Sequence, residues 1–253
     1  ENGMKTIALG TLLAALAAST AWAQHNVTED SSAEGALLTW RDPVPWQVGL
    51  GYERLARPVE LAGAEMDLKA DVVEGMVGVA PWPWLLLYGH VGAAEAELEK
   101  TMAAKGSGGA GGLVGARVNV WQIYEGVENS AWRVTLQLAG EYSHRTSADD
   151  GAGELAWDEG LVMLPIDYHL SFARRARNVD AHEFQSLHAY VGPAVSALDG
   201  TWTCAGVEQD FTEKESFGVV GGGEMWLLAN LAFGARVDWF DGVSGQVTLR
   251  YRF

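Results

Sequence analysis

From Gln246 onward the chain reads Gln, Val, Thr, Leu, Arg, Tyr, Arg, Phe. Val247, Leu249, Tyr251 and Phe253 fall on one side of this run, and Gln246, Thr248, Arg250 and Arg252 on the other. Successive strand side chains point to opposite faces, so a period of two sorts these residues as a strand does and as no helix can. The same period returns upstream. Leu231, Phe233, Ala235, Val237 and Trp239 alternate with smaller or charged residues, as do Trp132, Val134, Leu136, Leu138, Gly140 and Tyr142. Around Val162 the apolar face is Val162, Leu164, Ile166, Tyr168, Leu170 and Phe172, opposite Asp167, His169 and Ser171. The alternation predicts ten strands, near 46–57, 68–80, 84–98, 108–121, 131–146, 156–172, 186–198, 214–226, 230–240 and 243–253. Each supplies the roughly 9–11 residues that a tilted membrane strand needs.

The start of the chain reads as an address. Met4-Lys5 precedes an apolar run from Ile7 to Ala18, and Ala21-Trp22-Ala23 ends it in the pattern of a secretory cleavage site. The expected organisation is a signal peptide over 1–23, a flexible periplasmic arm over 24–45 and a barrel over 46–253. The apolar run falls short of the ~20 residues of a spanning helix, so export is expected rather than anchoring by a helix. Cys204 is the only cysteine, which excludes an internal disulfide and a CxxC centre. With 17 Lys+Arg against 33 Asp+Glu the net charge is −16, which argues against nucleic-acid partners. Apolar residues at 48% exclude wholesale disorder.

Alternation alone also fits a soluble sandwich or a lipocalin-like barrel. Aromatic placement favours a membrane barrel. With the N-terminus periplasmic, Trp46, Trp82, Trp84, Trp121, Tyr124, Trp132, Phe172, Trp226 and Phe253 collect at one set of strand ends. Tyr52, Tyr142, Trp157, Phe217 and Trp239 collect at the other. Two aromatic girdles around an apolar band suit a bilayer. Loop lengths are expected to be unequal as well. Pro81-Trp82-Pro83 and Leu228-Ala229 are tight periplasmic turns, while 147–155 and 199–213 are longer outer loops. Asn178–Gln185, a long periplasmic turn, and Asp241-Gly242, a short outer one, break that rule.

With Val247, Leu249, Tyr251 and the terminal Phe253 behind a signal-like segment, the sequence resembles the bacterial outer-membrane β-barrel proteins, notably the small OmpA-type barrels. The resemblance implies an all-β, antiparallel, up-and-down transmembrane barrel, with eight or twelve strands as alternatives to ten. It implies that the last strand, ending in Phe253, is read by the outer-membrane assembly machinery. Outer-membrane lipid and lipopolysaccharide are then the surrounding partners.

The inward faces of such a barrel carry Glu53, Glu74, Arg117, Asn119, Arg133, Glu141, Asp167, His169, His188, Glu224, Arg236, Asp238, Arg250 and Arg252. Near-balanced charge in a narrow lumen implies ion pairs across it. Barrels of about eight strands are filled by side chains and wide channels come near sixteen. A largely filled lumen is therefore expected, with a structural, adhesive or surface-interaction role through acidic outer loops. Those loops comprise Glu95, Glu97 and Glu99; Asp149, Asp150, Glu154, Asp158 and Glu159; and Glu208, Asp210, Glu213 and Glu215. Their carboxylates could also hold divalent cations. No cofactor is implied. A narrow channel is the first alternative. An outer-membrane hydrolase using His144 or the His169/His188 group is the second, although GxSxG and HExxH are both absent.

Overall fold

The structure, a computed structural model, describes residues 46–82, 84–99, 108–127, 130–148, 153–172, 186–227 and 230–253. The expected signal and arm, the Asn178–Gln185 turn, Leu228-Ala229, and Asp149 and Asp150 lie outside the described residues. So do the side chains of Glu99, Tyr124 and Phe172.

The described chain is all β. Its strands are β1 (Trp46–Leu61), β2 (Ala64–Trp82), β3 (Leu85–Glu99), β4 (Gly109–Val127), β5 (Ser130–Ala148), β6 (Glu154–Met163), β7 (Ile166–Phe172), β8 (Ser186–Cys204), β9 (Val207–Glu213), β10 (Phe217–Trp226), β11 (Leu231–Trp239) and β12 (Val243–Arg252). Every pairing between neighbours is antiparallel. The last strand pairs with the first, Val247 opposite Tyr52, and Phe253 N–H donates to Trp46 O at 3.1 Å, so the sheet closes into a barrel.

Two pairs of segments are collinear. β6 and β7 both lie between β5 and β8. They part at Leu164-Pro165, where proline has no N–H to give to a ladder. Pro165 O still accepts from Gln137 N–H at 2.9 Å, so the wall is not breached. β9 and β10 likewise both run along β8. The twelve segments thus make ten wall strands, the expected number.

The outward face of the wall is apolar over one stretch of each strand. On β1, Trp46, Val48, Leu50 and Tyr52 are exposed, and the next outward residue is Arg54. The upper edge of this belt is marked by tyrosines. Tyr52 OH donates to Asp71 Oδ1 at 2.5 Å, and Tyr142 OH donates to Asp158 Oδ1 at 2.5 Å. Trp46, Trp82 and Trp121 are about half exposed at the opposite edge, near the start of β1. Trp82 stacks on Trp84 at 5.5 Å, and Trp132 stacks on Tyr168 at 6.5 Å. Among the described residues no helix is long and apolar enough to cross a membrane, a test that does not address strands.

Beyond the tyrosines the strands continue, past the strand bounds expected at 57 and 68 and through the loop expected at 199–213. β1 and β2 run on to a two-residue turn at Ala62-Gly63, with φ of 51° and 81°. β8 and β9 form a second hairpin, turning at Ala205-Gly206 with φ of 49° and 78°. Two consecutive positive φ values match the twist of a tight hairpin, and Gly63 adopts its value without the strain a Cβ would bring. Above the ends of β11 and β12, β9 bridges from β8 to β1 through Phe211 opposite Leu61. The wall therefore narrows. Among the described residues, this strand overhang makes the two ends unlike.

Candidate functional site

The inside of the barrel is layered. Uppermost, inside the overhang, is an apolar plug. Leu55, Val59 and Leu61 of β1, Leu68 and Val72 of β2, Leu155 and Trp157 of β6, Leu198 of β8 and Phe211 of β9 pack together there, all buried. Trp157, expected in the outer aromatic girdle, is at 0% exposure inside this plug. It shares its parity with Asp167 and His169, so the alternation carries it inward.

Below the plug lies a layer of ion pairs. Arg145 donates to Glu53 Oε2 at 2.7 Å and lies 4.0 Å from Glu74. Glu74 also meets His90 Nδ1 at 2.5 Å and accepts from Gln246 at 3.1 Å. Arg57 donates to Glu159 at 2.8 Å while its guanidinium lies 3.8 Å over the Phe240 ring. Arg236 is held between Glu141, at 2.9 Å, and Asp238, at 2.8 Å. Tyr88 OH adds a hydrogen bond to Glu141 at 2.6 Å. Buried charges are tolerable when paired and hydrogen-bonded in this way. A second apolar cluster, including Met163, Val220 and Phe240, is packed within the same interior.

The lowest layer is open. A cavity of about 250 Å³ reaches the end at which β1 begins and β12 finishes, with Gln47, Trp226 and Arg252 among its lining residues. His169 and His188 stack there at 3.7 Å. His169 Nδ1 faces Arg133 at 2.8 Å, and His188 Nδ1 faces Asp167 at 3.5 Å. Arg250 pairs with Glu224, and Arg252 lies 4.0 Å over the Trp226 ring. Trp226, expected in the girdle, is thus a lumen residue, as its parity with Glu224 requires. Gln137 donates to Asn119 at 3.1 Å beside them.

The ionisable residues expected inside therefore face the lumen, in two groups that overlap at Glu141 and Arg236. Glu53, Glu74, Glu141, Arg236 and Asp238 belong to the ion-pair layer. Arg117, Arg133, Asp167, His169, His188, Glu224, Arg250 and Arg252 line the cavity. Among the inward residues that escaped the sequence reading are Arg57, His90, Arg145 and Glu159. Glu159, grouped above with acidic loop residues, is buried at 8% exposure. Continued alternation would have found three of them, since Arg57 has the parity of Glu53, Arg145 that of Glu141, and Glu159 that of Asp167.

The acidic residues assigned to loops sit instead on strands or beside them. Glu95 and Glu97 are on β3, Asp158 on β6, and Glu208, Asp210 and Glu213 on β9. Burial pushes the Glu213 carboxyl above the usual carboxylate range. Among the described residues no group of three or more His, Cys, Asp or Glu side chains is arranged to hold a metal ion. His144 faces Asp158 at 3.0 Å on the exposed surface.

No protein-family profile and no curated protein matches the chain. Solved structures do. The translocator domain of the autotransporter NalP from Neisseria meningitidis overlays with a TM-score of 0.39 at 11% identity, over 99% of this chain and 98% of that one. The transport unit of the autotransporter AIDA-I from Escherichia coli overlays with a TM-score of 0.37 at 11% identity, over 94% and 97%. The assignment of a closed barrel rests on this chain's own strand pairing.

Proposed function

We propose that the chain is an integral bacterial outer-membrane β-barrel with an occluded lumen, acting at the cell surface through its strand overhang. The observation that carries this reading is the inversion of polarity across the wall. Outward residues such as Leu50, Val73, Val91, Val114 and Phe233 are exposed, while charged residues such as Arg145 and Glu74 are buried inside. Soluble monomers rarely expose a contiguous apolar surface of more than a few hundred Å². An encircling band of that kind, edged by tyrosines and tryptophans, is what hydrocarbon and headgroups accept on the two sides of their boundary.

The overhang then stands outside the membrane, on the side away from the termini. Its exposed faces carry Glu60, Glu65, Glu95, Glu208 and Asp210, with Lys214 bonded to Glu65 at 2.9 Å. These acidic faces are the surface offered to lipopolysaccharide and to partners in a structural or adhesive role. The terminal strand carries the sequence read by the assembly machinery, and Phe253 sits at the seam it closes.

The test is planar-bilayer conductance of the chain from residue 24, with unboiled and boiled gel mobility as the folding control. The plug predicts silence from a folded barrel. Discrete current steps would replace this reading with a channel. Recovery in the periplasm without detergent would replace it with a soluble exported protein.

A further inference from the structure

The open layer of the lumen is rich in arginine. Five arginines and three carboxylates line the cavity. Each carboxylate is engaged: Glu141 with Arg236, Glu224 with Arg250, Asp167 with His188. Arg117, on β4, is different. Among the described residues it forms no hydrogen bond and no ion pair, its buried Nε has no partner, and its guanidinium lies 5.9 Å from the face of Tyr190. Glu141 and Asp167 act on its charge from beyond ion-pair distance, so the guanidinium keeps hydrogen-bond donors that it can offer to a ligand in the cavity.

We propose that this cavity is a binding site for a small oxyanion, with Arg117 supplying the counter-charge. The planar fork of a guanidinium matches the two oxygens of a carboxylate or phosphate. A volume of about 250 Å³ admits inorganic phosphate or a carboxylate on a small ring, and excludes anything of lipid size. Tyr88, Tyr190 and Trp226 give the cavity aromatic walls against which a planar group can lie. Entry is from the end bearing the termini, because the plug closes the other. The site needs no conduction, so it stands whether or not the barrel passes current.

The experiment is calorimetric titration of the full chain, refolded in zwitterionic micelles, with inorganic phosphate and separately with benzoate. Saturable one-to-one binding of at least one anion is expected, weakened tenfold or more in Arg117→Gln. Arg54→Gln, on the exposed outer face, is expected to bind as the wild type does. Stronger response to phosphate identifies a phosphate site, and stronger response to benzoate an aromatic carboxylate site. Among the described residues Arg117 makes no hydrogen bond or close ion pair, so Arg117→Gln should show the gel mobility of a folded barrel. If it does not, Arg117→Lys, which keeps the charge without the fork, is compared instead and should bind more weakly than wild type. Absence of binding by both anions overturns the proposal. So does binding by folded Arg117→Gln, or failing that by Arg117→Lys, equal to wild type.

Discussion

Trp157→Ala is expected to remove a large part of the barrel's stability. Trp157 is fully buried against the β1, β8 and β9 side chains of the plug. Truncating a buried Trp costs about 3–5 kcal/mol, from lost transfer energy and from the cavity left behind. At 1.4 kcal/mol per tenfold, that is roughly two to three-and-a-half powers of ten in the unfolding constant. Trp239 is the internal comparison: it lies 48% exposed on the outer belt, and Trp239→Ala should cost about 1 kcal/mol, the scale of partial burial. Trp157→Phe separates packing from polarity. Among the described residues the Trp157 indole N–H has no hydrogen-bond partner, and a buried unsatisfied donor costs about 1–3 kcal/mol. Phenylalanine removes that donor and keeps most of the ring, so Trp157→Phe should fall within about 1 kcal/mol of wild type by the same reckoning. The assay is urea unfolding and refolding in lipid vesicles, with folded fractions read by unboiled gel mobility. Equal midpoints for Trp157→Ala and Trp239→Ala would refute the plug and return Trp157 to the membrane surface.

Gly200 leaves room for that packing: a Cβ there would stand 2.4 Å from Ala156 O and 2.5 Å from the Phe211 ring. Gly200→Ala should therefore cost about 1–3 kcal/mol by overpacking, read by the same urea midpoints. Arg236→Met strands Glu141 and Asp238 without their shared cation, and should cost about 3–5 kcal/mol. Adding Glu141→Gln and Asp238→Asn to Arg236→Met should recover much of that loss, checked as a cycle of unfolding free energies. Glu213, whose folded pKa is raised by burial, contributes stability fully present below its unfolded value. That contribution is lost as pH rises through the folded value. Glu213→Gln should therefore flatten the fall in urea midpoint between mildly acidic and neutral pH, and an unchanged profile would count against the burial of that carboxyl.

Most of the wall was legible because a strand writes its two faces in alternate residues. The ten strands, the inward charges and the exposed faces of β11 and β12 follow from that rule alone. The errors came where another rule was set above it. Trp157 and Trp226 were given to girdles because tryptophan suits an interface, although their neighbours Glu159 and Glu224 share their parity and face inward. Within the overhang, 199–213 reads as an outer loop because the segment is long and polar. Local composition is silent about two hairpins supporting each other, and that mutual support keeps these segments extended. Pairing partners were not legible at all. No pattern in the sequence says that Arg145 meets Glu53 across 92 positions.

The seam between β1 and β12 has a consequence for the order of assembly. β1 is the first described strand and finds β2 within a turn, but its other edge waits for β12 and β9 from the far end of the chain. Leu55, Val59 and Leu68 emerge early, while Trp157, Leu198 and Phe211, which cover them, come much later. Until then both the unpaired backbone edge and the apolar inner face of the N-terminal strands stay open. Contacts of such separation are slow to form, because a long loop must close before any of them is rewarded. Closure of the ring and filling of its upper lumen therefore belong to one cooperative, late event. A chain stopped short of it would present a sticky trough rather than a small barrel, with two unsatisfied surfaces open at once.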